Sequence, residues 1–235
     1  MVDVADPWTH LDHLETYLRD AQVACGYLEP RGGWQPKYRV VLDGAVHALQ
    51  KPVGGSNAPG EAMVAVRREI AAWLIARKLG WARLVATTVL RTMSPPGGGA
   101  ESEASLQVIW PEPLTGTAEL AAFDHFDVWR AAVFDVAIQN TDRNQNNWMG
   151  MGPDINGALH LKLVDHAHAF EAGPVNSPFV AFVGAGSAPA TVRDEITVGL
   201  NRWPDELIGL VGDAAEAVRE RLSAVVTGSR LADVK

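Results

Sequence analysis

The tripeptide Pro111-Glu112-Pro113 divides this 235-residue chain into two stretches of different character. A proline interrupts both a helix and a strand ladder, because it has no amide donor and its ring clashes with the preceding turn. Before the break, short apolar runs alternate with turn residues, which predicts strands. After it, apolar residues recur at spacings of three and four, which predicts helices. The domain boundary is therefore placed there, with an N-terminal helix and β-rich lobe over residues 1–112 and a mostly helical lobe over residues 113–235.

In the first stretch, Asp6-Pro7 followed by Trp8, Leu11, Leu14, Tyr17, Leu18 and Ala21 predicts an outer amphipathic helix over 7–24. Apolar runs at 38–42 and 45–50 flank Asp43-Gly44, a strong hairpin signal, and Lys51 stands at the end of the second run. A loop over 54–60 leads into a long helix over 61–79, stopped by Gly80. Strands are expected at about 83–91 and 105–110. Between them Ser94 to Glu103, rich in Gly and Pro, is expected to be a hairpin tip without a catalytic role. The second stretch predicts helices over 117–123 and 124–139, an Asn-rich loop over 140–147, a short strand over 160–164 and a loop over 171–190. Further helices over 191–227 are interrupted at Trp203-Pro204 and Gly212. This order of elements, a β-rich lobe with one long helix and then a helical lobe, is that of a two-lobed α+β, kinase-like fold.

Composition narrows the classes of function. A chain that is 47% hydrophobic and 20% charged can bury a core. Its net charge of −8 and pI near 5.3 argue against a sequence-independent grip on nucleic acid or an anionic membrane, since both need clustered Lys and Arg. Cys25 stands alone, so no internal disulfide can form and a reducing compartment is expected. Residues 1–9 lack the basic, apolar pattern of a signal peptide, and no apolar run approaches the roughly 18 residues of a membrane span. A cytoplasmic location without stable membrane insertion is the expectation.

Phosphoryl transfer asks a protein for metal ligands, a cation on the phosphates and a carboxylate beside the attacking hydroxyl. The chain offers these in order. Asp142 and Asn147 stand five residues apart in a loop directly after a helix, and Asp165 follows the strand Leu161-Lys162-Leu163-Val164. Their hard oxygens suit Mg²⁺. Taken alone, Asp-x-x-x-x-Asn in an Asn-rich segment reads as turn chemistry, because Asn and Asp side chains bond their own backbone. A calcium loop over Asp142, Asn144 and Asn146 fails, because Asn147 stands where glycine is needed and Pro153 where an acid is needed. His160, His166 and His168 beside Asp165 suggest a transition-metal site, but no Cys or spaced His pair completes its shell. Hydrogen bonds within the loop that holds Asp165 are the better reading of His166 and His168.

The stretch Asn140-Thr141-Asp142-Arg143-Asn144-Gln145-Asn146-Asn147-Trp148-Met149, with Val164-Asp165-His166-Ala167-His168-Ala169-Phe170, closely resembles the catalytic and metal-binding loops of type II phosphatidylinositol 4-kinases. It is also similar to small bacterial proteins of the phosphatidylinositol 3-/4-kinase-like group and, more distantly, to HipA-type kinases. Upstream, Ala48-Leu49-Gln50-Lys51-Pro52, the helix Arg67 to Leu74 and Ser105 to Trp110 resemble the family's lysine strand, glutamate helix and hinge strand, so that the resemblance covers roughly residues 32–170. It implies a magnesium- and ATP-dependent phosphotransferase. Lys51 would contact the phosphates, Glu69 would orient Lys51, and Gly32 and Gly33 would cover the phosphates. Gln107, Ile109 and Trp110 would border the adenine. Asp142 would be the catalytic base with Arg143 beside it, pairing as a planar fork with a carboxylate or a phosphate, and Asn147 with Asp165 would hold Mg²⁺. The chain departs from the family at Ala167, where glycine is usual, and in residues 171–235, which are fewer than the lipid kinases carry and hold no cysteine-rich palmitoylation motif. The expected acceptor is therefore a hydroxyl on a protein, or a small molecule, before a lipid. A pseudokinase or nucleotide-gated binding module, a phosphatidylinositol kinase and an AMP transferase are the alternatives.

Overall fold

Val40, Leu42 and Ala48 are too apolar to face water on both sides of a hairpin, and they are fully buried on one face of a five-stranded antiparallel sheet. The computed structural model of the chain describes residues 7–29, 35–43, 46–109, 119–153, 157–184 and 186–234. The sheet comprises β1 (Val23–Leu28), β2 (Tyr38–Leu42), β3 (Val46–Pro52), β4 (Thr88–Met93) and β5 (Ser102–Val108), in the order β1-β2-β3-β5-β4. In register, Val40 pairs with Ala48 and Ala48 with Val108. That face packs with Leu18 and Ala21 from helix α1 (Pro7–Asp20) and its end. Lys51 pairs with Ser105 and, alternating with Gln50, points to the opposite face.

Two compact units are present, Met1–Ile70 with Ala86–Pro111, and Ala71–Val85 with Glu112–Lys235. Helix α2 (Pro59–Lys78) contributes to both. The second unit is built around α3 (His125–Ala137), which buries Val128, Trp129, Val133 and Phe134. A helix apolar on most sides belongs in a core. Asp124 caps it by accepting the Asp127 amide at 3.0 Å. A second hairpin of β6 (Trp148–Pro153) and β7 (Leu159–Leu163) follows, then α4 (Pro178–Val183), α5 (Ala190–Leu200), α6 (Glu206–Val211) and α7 (Ala214–Val226). The breaks at Trp203-Pro204 and Gly212 fall between these last helices, with Gly212 at φ 58°.

Several elements differ from the sequence expectation, most of them through a long-range partner. The first helix ends at Asp20 rather than 24, because Arg91 Nη1 reaches the Leu18 and Ala21 carbonyls (3.1 and 2.6 Å) and Val23–Leu28 pairs with β2 as an edge strand. The strand expected from 83 begins at Thr88. Leu84 and Val85 instead run beside β7, where Leu84 O accepts the Leu163 amide at 2.7 Å. Of the helix expected over 117–123, the described part is one 3-10 turn, Leu120–Ala122, since Phe123 is extended and bridges to Leu159. The loop expected over 171–190 contains α4, begun by Ser177 as its cap and Pro178 as its first residue.

Gly199 of α5 lies against the residues at the end of α2. A Cβ there would lie 2.6 Å from Leu79 Cδ2 and 3.0 Å from both Leu79 Cα and Lys78 O, and backbone cannot yield as a side-chain tip can. Gly199→Ala is expected to destabilise the chain by about 1–3 kcal/mol, read by urea unfolding. Wild-type stability would show that α5 shifts at no cost.

Candidate active site

The loop after α3 is organised by its asparagines. Asn140 Oδ1 accepts the Asp142 amide at 3.0 Å, and Asn144 Oδ1 accepts the Asn146 amide at 2.9 Å, two Asx turns in succession. The turn chemistry and the candidate chemistry thus coexist in one segment, carried by different residues. The half-buried Asp142 carboxylate accepts from Asn144 Nδ2 at 3.1 and 3.2 Å. Asn147 Nδ2 donates to the Asp142 carbonyl at 2.6 Å, which turns its Oδ1 away from that bond as the group left to act as a ligand.

Arg143 is fully buried and forks onto Asp135 of α3, also fully buried, through Nε (3.1 Å) and Nη2 (2.9 Å) to Oδ1. Its Nη1 donates to the carbonyls of Asn147 (2.7 Å) and Val164 (2.8 Å). One guanidinium therefore ties the loop to the residue preceding Asp165, and the Val164 amide returns a bond to Asn147 O at 3.0 Å. Arginine suits this place because its planar donors reach three acceptors in fixed directions. Asp135 also accepts from Asn140 Nδ2 at 3.2 Å. Asp135 was not among the residues singled out from the sequence, yet it carries a signal there, as an acid in the middle of an otherwise apolar helical run.

Asp165 is half-buried with φ 55°, a left-handed conformation uncommon outside glycine. The described residues with positive φ do not include Ala167, so the alanine where the family has glycine is not asked to adopt that conformation. Backbone bonds lace the two loops together: Thr141 N to His168 O (3.3 Å), Arg143 N to Asn176 O (3.1 Å), Asn176 N to Asn140 O (3.0 Å) and Phe170 N to Ile138 O (2.6 Å). His168 Nδ1 lies 3.3 Å from Glu171, and the fully buried His166 stands edge-on to Phe134.

In the first unit, Lys51 Nζ donates to Glu69 Oε1, with both residues buried. Gln107 Nε2 donates to Thr88 Oγ1 at 3.0 Å and approaches Glu69 Oε2 at 3.5 Å, so it lies within the same buried polar group. Ile109 is half-buried and its amide bonds His47 O at 2.9 Å. Gly32, Gly33 and Trp110 lie outside the described residues.

Among the described residues no group of three or more His, Cys, Asp or Glu side chains could hold a metal ion, which leaves the transition-metal reading of His160, His166 and His168 without a shell. Asn147 Oδ1 and the Asp165 carboxylate are hard oxygens, the donor type that suits Mg²⁺. That ion keeps several waters and shares substrate phosphates.

Lys162 of β7, three residues before Asp165, is buried, and its pKa falls to about 7. Burial is the main cause, Asp127 opposes it and Arg83 adds to it. The folded state thus binds fewer protons than the unfolded chain between about pH 7 and the ordinary lysine value of 10.5. Stability contributed by this lysine is accordingly expected to rise with pH across that window, by at most about 1.4 kcal/mol per pH unit, and to be flat below it. Lys162→Met should flatten the rise in urea titrations at pH 7 to 10. An unchanged slope would locate the titration elsewhere.

No family model matches the chain, and no curated protein matches it. Solved structures do. The Golgi casein kinase structure is similar at a TM-score of 0.59 and 14% identity, covering 94% of this chain and 76% of that one. The Helicobacter pylori proinflammatory kinase CtkA is similar at a TM-score of 0.53 and 12% identity, covering 92% of this chain and all of that one. These likenesses show a two-lobed kinase-like fold, with an antiparallel β-sheet N-lobe and helical elements. The tie to the phosphatidylinositol 3-/4-kinases is carried by sequence motifs alone.

Proposed function

We propose that this chain is an ATP- and Mg²⁺-dependent phosphotransferase that moves the γ-phosphoryl group to a hydroxyl, on a protein before a lipid. The observation that carries the reading is the Arg143 clamp: one buried guanidinium holds the Asp142–Asn147 loop and the segment leading into Asp165 in a single hydrogen-bonded arrangement. Such a rigid pairing of a carboxylate with two oxygen ligands is what positioning catalysis requires. The left-handed Asp165 supports it, because strained backbone persists where the surroundings over-determine it.

In this reading Asp142 accepts the proton of the acceptor hydroxyl, and Arg143 acts by holding Asp142 in place. Asn147 and Asp165 would hold Mg²⁺, which when bound neutralises phosphate charge. Lys51, kept in one orientation by Glu69, would meet the α- and β-phosphates, with Gly32 and Gly33 over them and Gln107, Ile109 and Trp110 around the adenine. Residues 1–112 would then serve as the nucleotide lobe and 113–235 as the catalytic lobe. Charge and composition favour a protein acceptor over an anionic lipid surface, given the net −8 and the absence, among the described residues, of any helix long and apolar enough to cross a membrane. The test is incubation of purified chain with Mg²⁺ and, in parallel, γ-labelled and α-labelled ATP, alone and with a cell extract. Label on a protein is the expected result. Label on lipid would shift the acceptor class, α-label on the product would make the reaction AMP transfer, and no label in any form would overturn the reading.

A further inference from the structure

Gln139 stands directly before the loop that carries Asp142, and its backbone is left-handed at φ 49°. It follows Ile138, the C-cap of α3, a place where glycine usually supplies that conformation. Glutamine resists it, so the conformation must be held by what the side chain and its surroundings bond to. Both ends of the carboxamide are engaged. Nε2 donates to Gly173 O at 2.9 Å, and Oε1 accepts from Arg221 Nη2 of α7 at 2.6 Å. Arg221 Nη1 also donates to Ala137 O at 3.0 Å, satisfying one of the last carbonyls of α3. One side chain thus joins the end of α3, the segment after Asp165 and the C-terminal helix.

We infer that Gln139 and Arg221 are positioning residues for the Asp142 loop, an inference that takes the phosphotransfer reading as its premise. The carboxamide is a strut between residue 139 and residue 173. It lies beside the backbone bonds Thr141 N to His168 O, Arg143 N to Asn176 O and Asn176 N to Asn140 O. With the strut in place those bonds share one geometry; without it the two segments can slide while α3 and α7 stay folded.

Gln139→Gly separates the two roles of the residue, since glycine keeps the turn without strain and removes only the carboxamide. In the full chain with Mg²⁺ and labelled ATP, Gln139→Gly and Arg221→Ala are each expected to lower kcat about tenfold while KM for ATP stays within about twofold. Amide exchange at Thr141, Arg143 and Asn176 should speed up in both. Arg219→Ala, on the same helix and paired with Glu216 at 3.8 Å, should leave both readouts as in the wild type. Wild-type kcat and exchange in Gln139→Gly would overturn the inference, as would an Arg219→Ala defect equal to that of Arg221→Ala. If the wild-type chain turns over no ATP, the phosphotransfer reading fails separately. Exchange then decides the inference alone, with faster exchange in both variants retaining the strut and unchanged exchange removing it.

Discussion

Asp135→Ala is expected to destabilise the chain by about 3–5 kcal/mol, the largest stability effect of any single substitution considered. The reason is what it leaves behind. Asp135 and Arg143 are both fully buried, and the aspartate accepts from two nitrogens of the guanidinium as well as from Asn140 Nδ2. Removing the carboxylate strands a cation out of water with its fork half satisfied, and strands a buried amide with it. Arg143→Met strands the buried Asp135 carboxylate in its turn and takes one donor from each of the Asn147 and Val164 carbonyls, so it is destabilising as well. The double variant should cost less than the sum of the two singles, because the second substitution removes the charge the first had stranded. Urea unfolding of the four proteins measures this. A cost below about 1 kcal/mol for Asp135→Ala would mean that Arg143 can turn to solvent and that the clamp is not rigid.

How far the sequence discloses this molecule depends on how local each signal is. Strands β2 and β3, helices α2 and α3 and the breaks among the last helices are legible, because alternation, caps, proline and glycine are written within a few residues. The ion pair of Lys51 and Glu69 is foreshadowed by a lysine ending one strand and a glutamate inside the next helix. Strand β1 and the irregular course of Leu84 and Val85 are not, since both follow from partners far along the chain. The same holds within the site. The spacing of Asp142, Asn147 and Asp165 is visible in the sequence, but the supports are far less so: Asp135 reads only as one acid in an apolar helix, and Gln139 as the last residue of that helix. Ala167 shows the converse. Its departure from glycine suggests a distorted loop, whereas the left-handed residue is Asp165, two positions earlier.

Asp142→Asn is expected to lower phosphoryl transfer by about 10²- to 10⁴-fold, the range a positioned proton acceptor contributes, with little change in stability. The backbone of residue 142 does the structural work. Its amide bonds Asn140 Oδ1 and its carbonyl accepts from Asn147 Nδ2, and asparagine keeps both. Among the described residues the side chain bonds to Asn144 Nδ2, at the exposed edge of the loop, and one amide oxygen suffices for that contact. What asparagine lacks is basicity, so under the proposed role the acceptor hydroxyl would lose the group that takes its proton while Lys51, Asn147 and Asp165 remain. Three readouts fix the interpretation: rate of label transfer, thermal unfolding alone, and thermal unfolding with Mg²⁺ and ATP. The proposed role predicts loss of transfer with an unfolding midpoint near that of the wild type and an unchanged shift on adding nucleotide. Transfer at the wild-type rate would remove Asp142 from the chemistry. Nucleotide shifts in both proteins with transfer in neither would make the chain a nucleotide-binding module, with the Arg143 clamp serving to hold a binding surface.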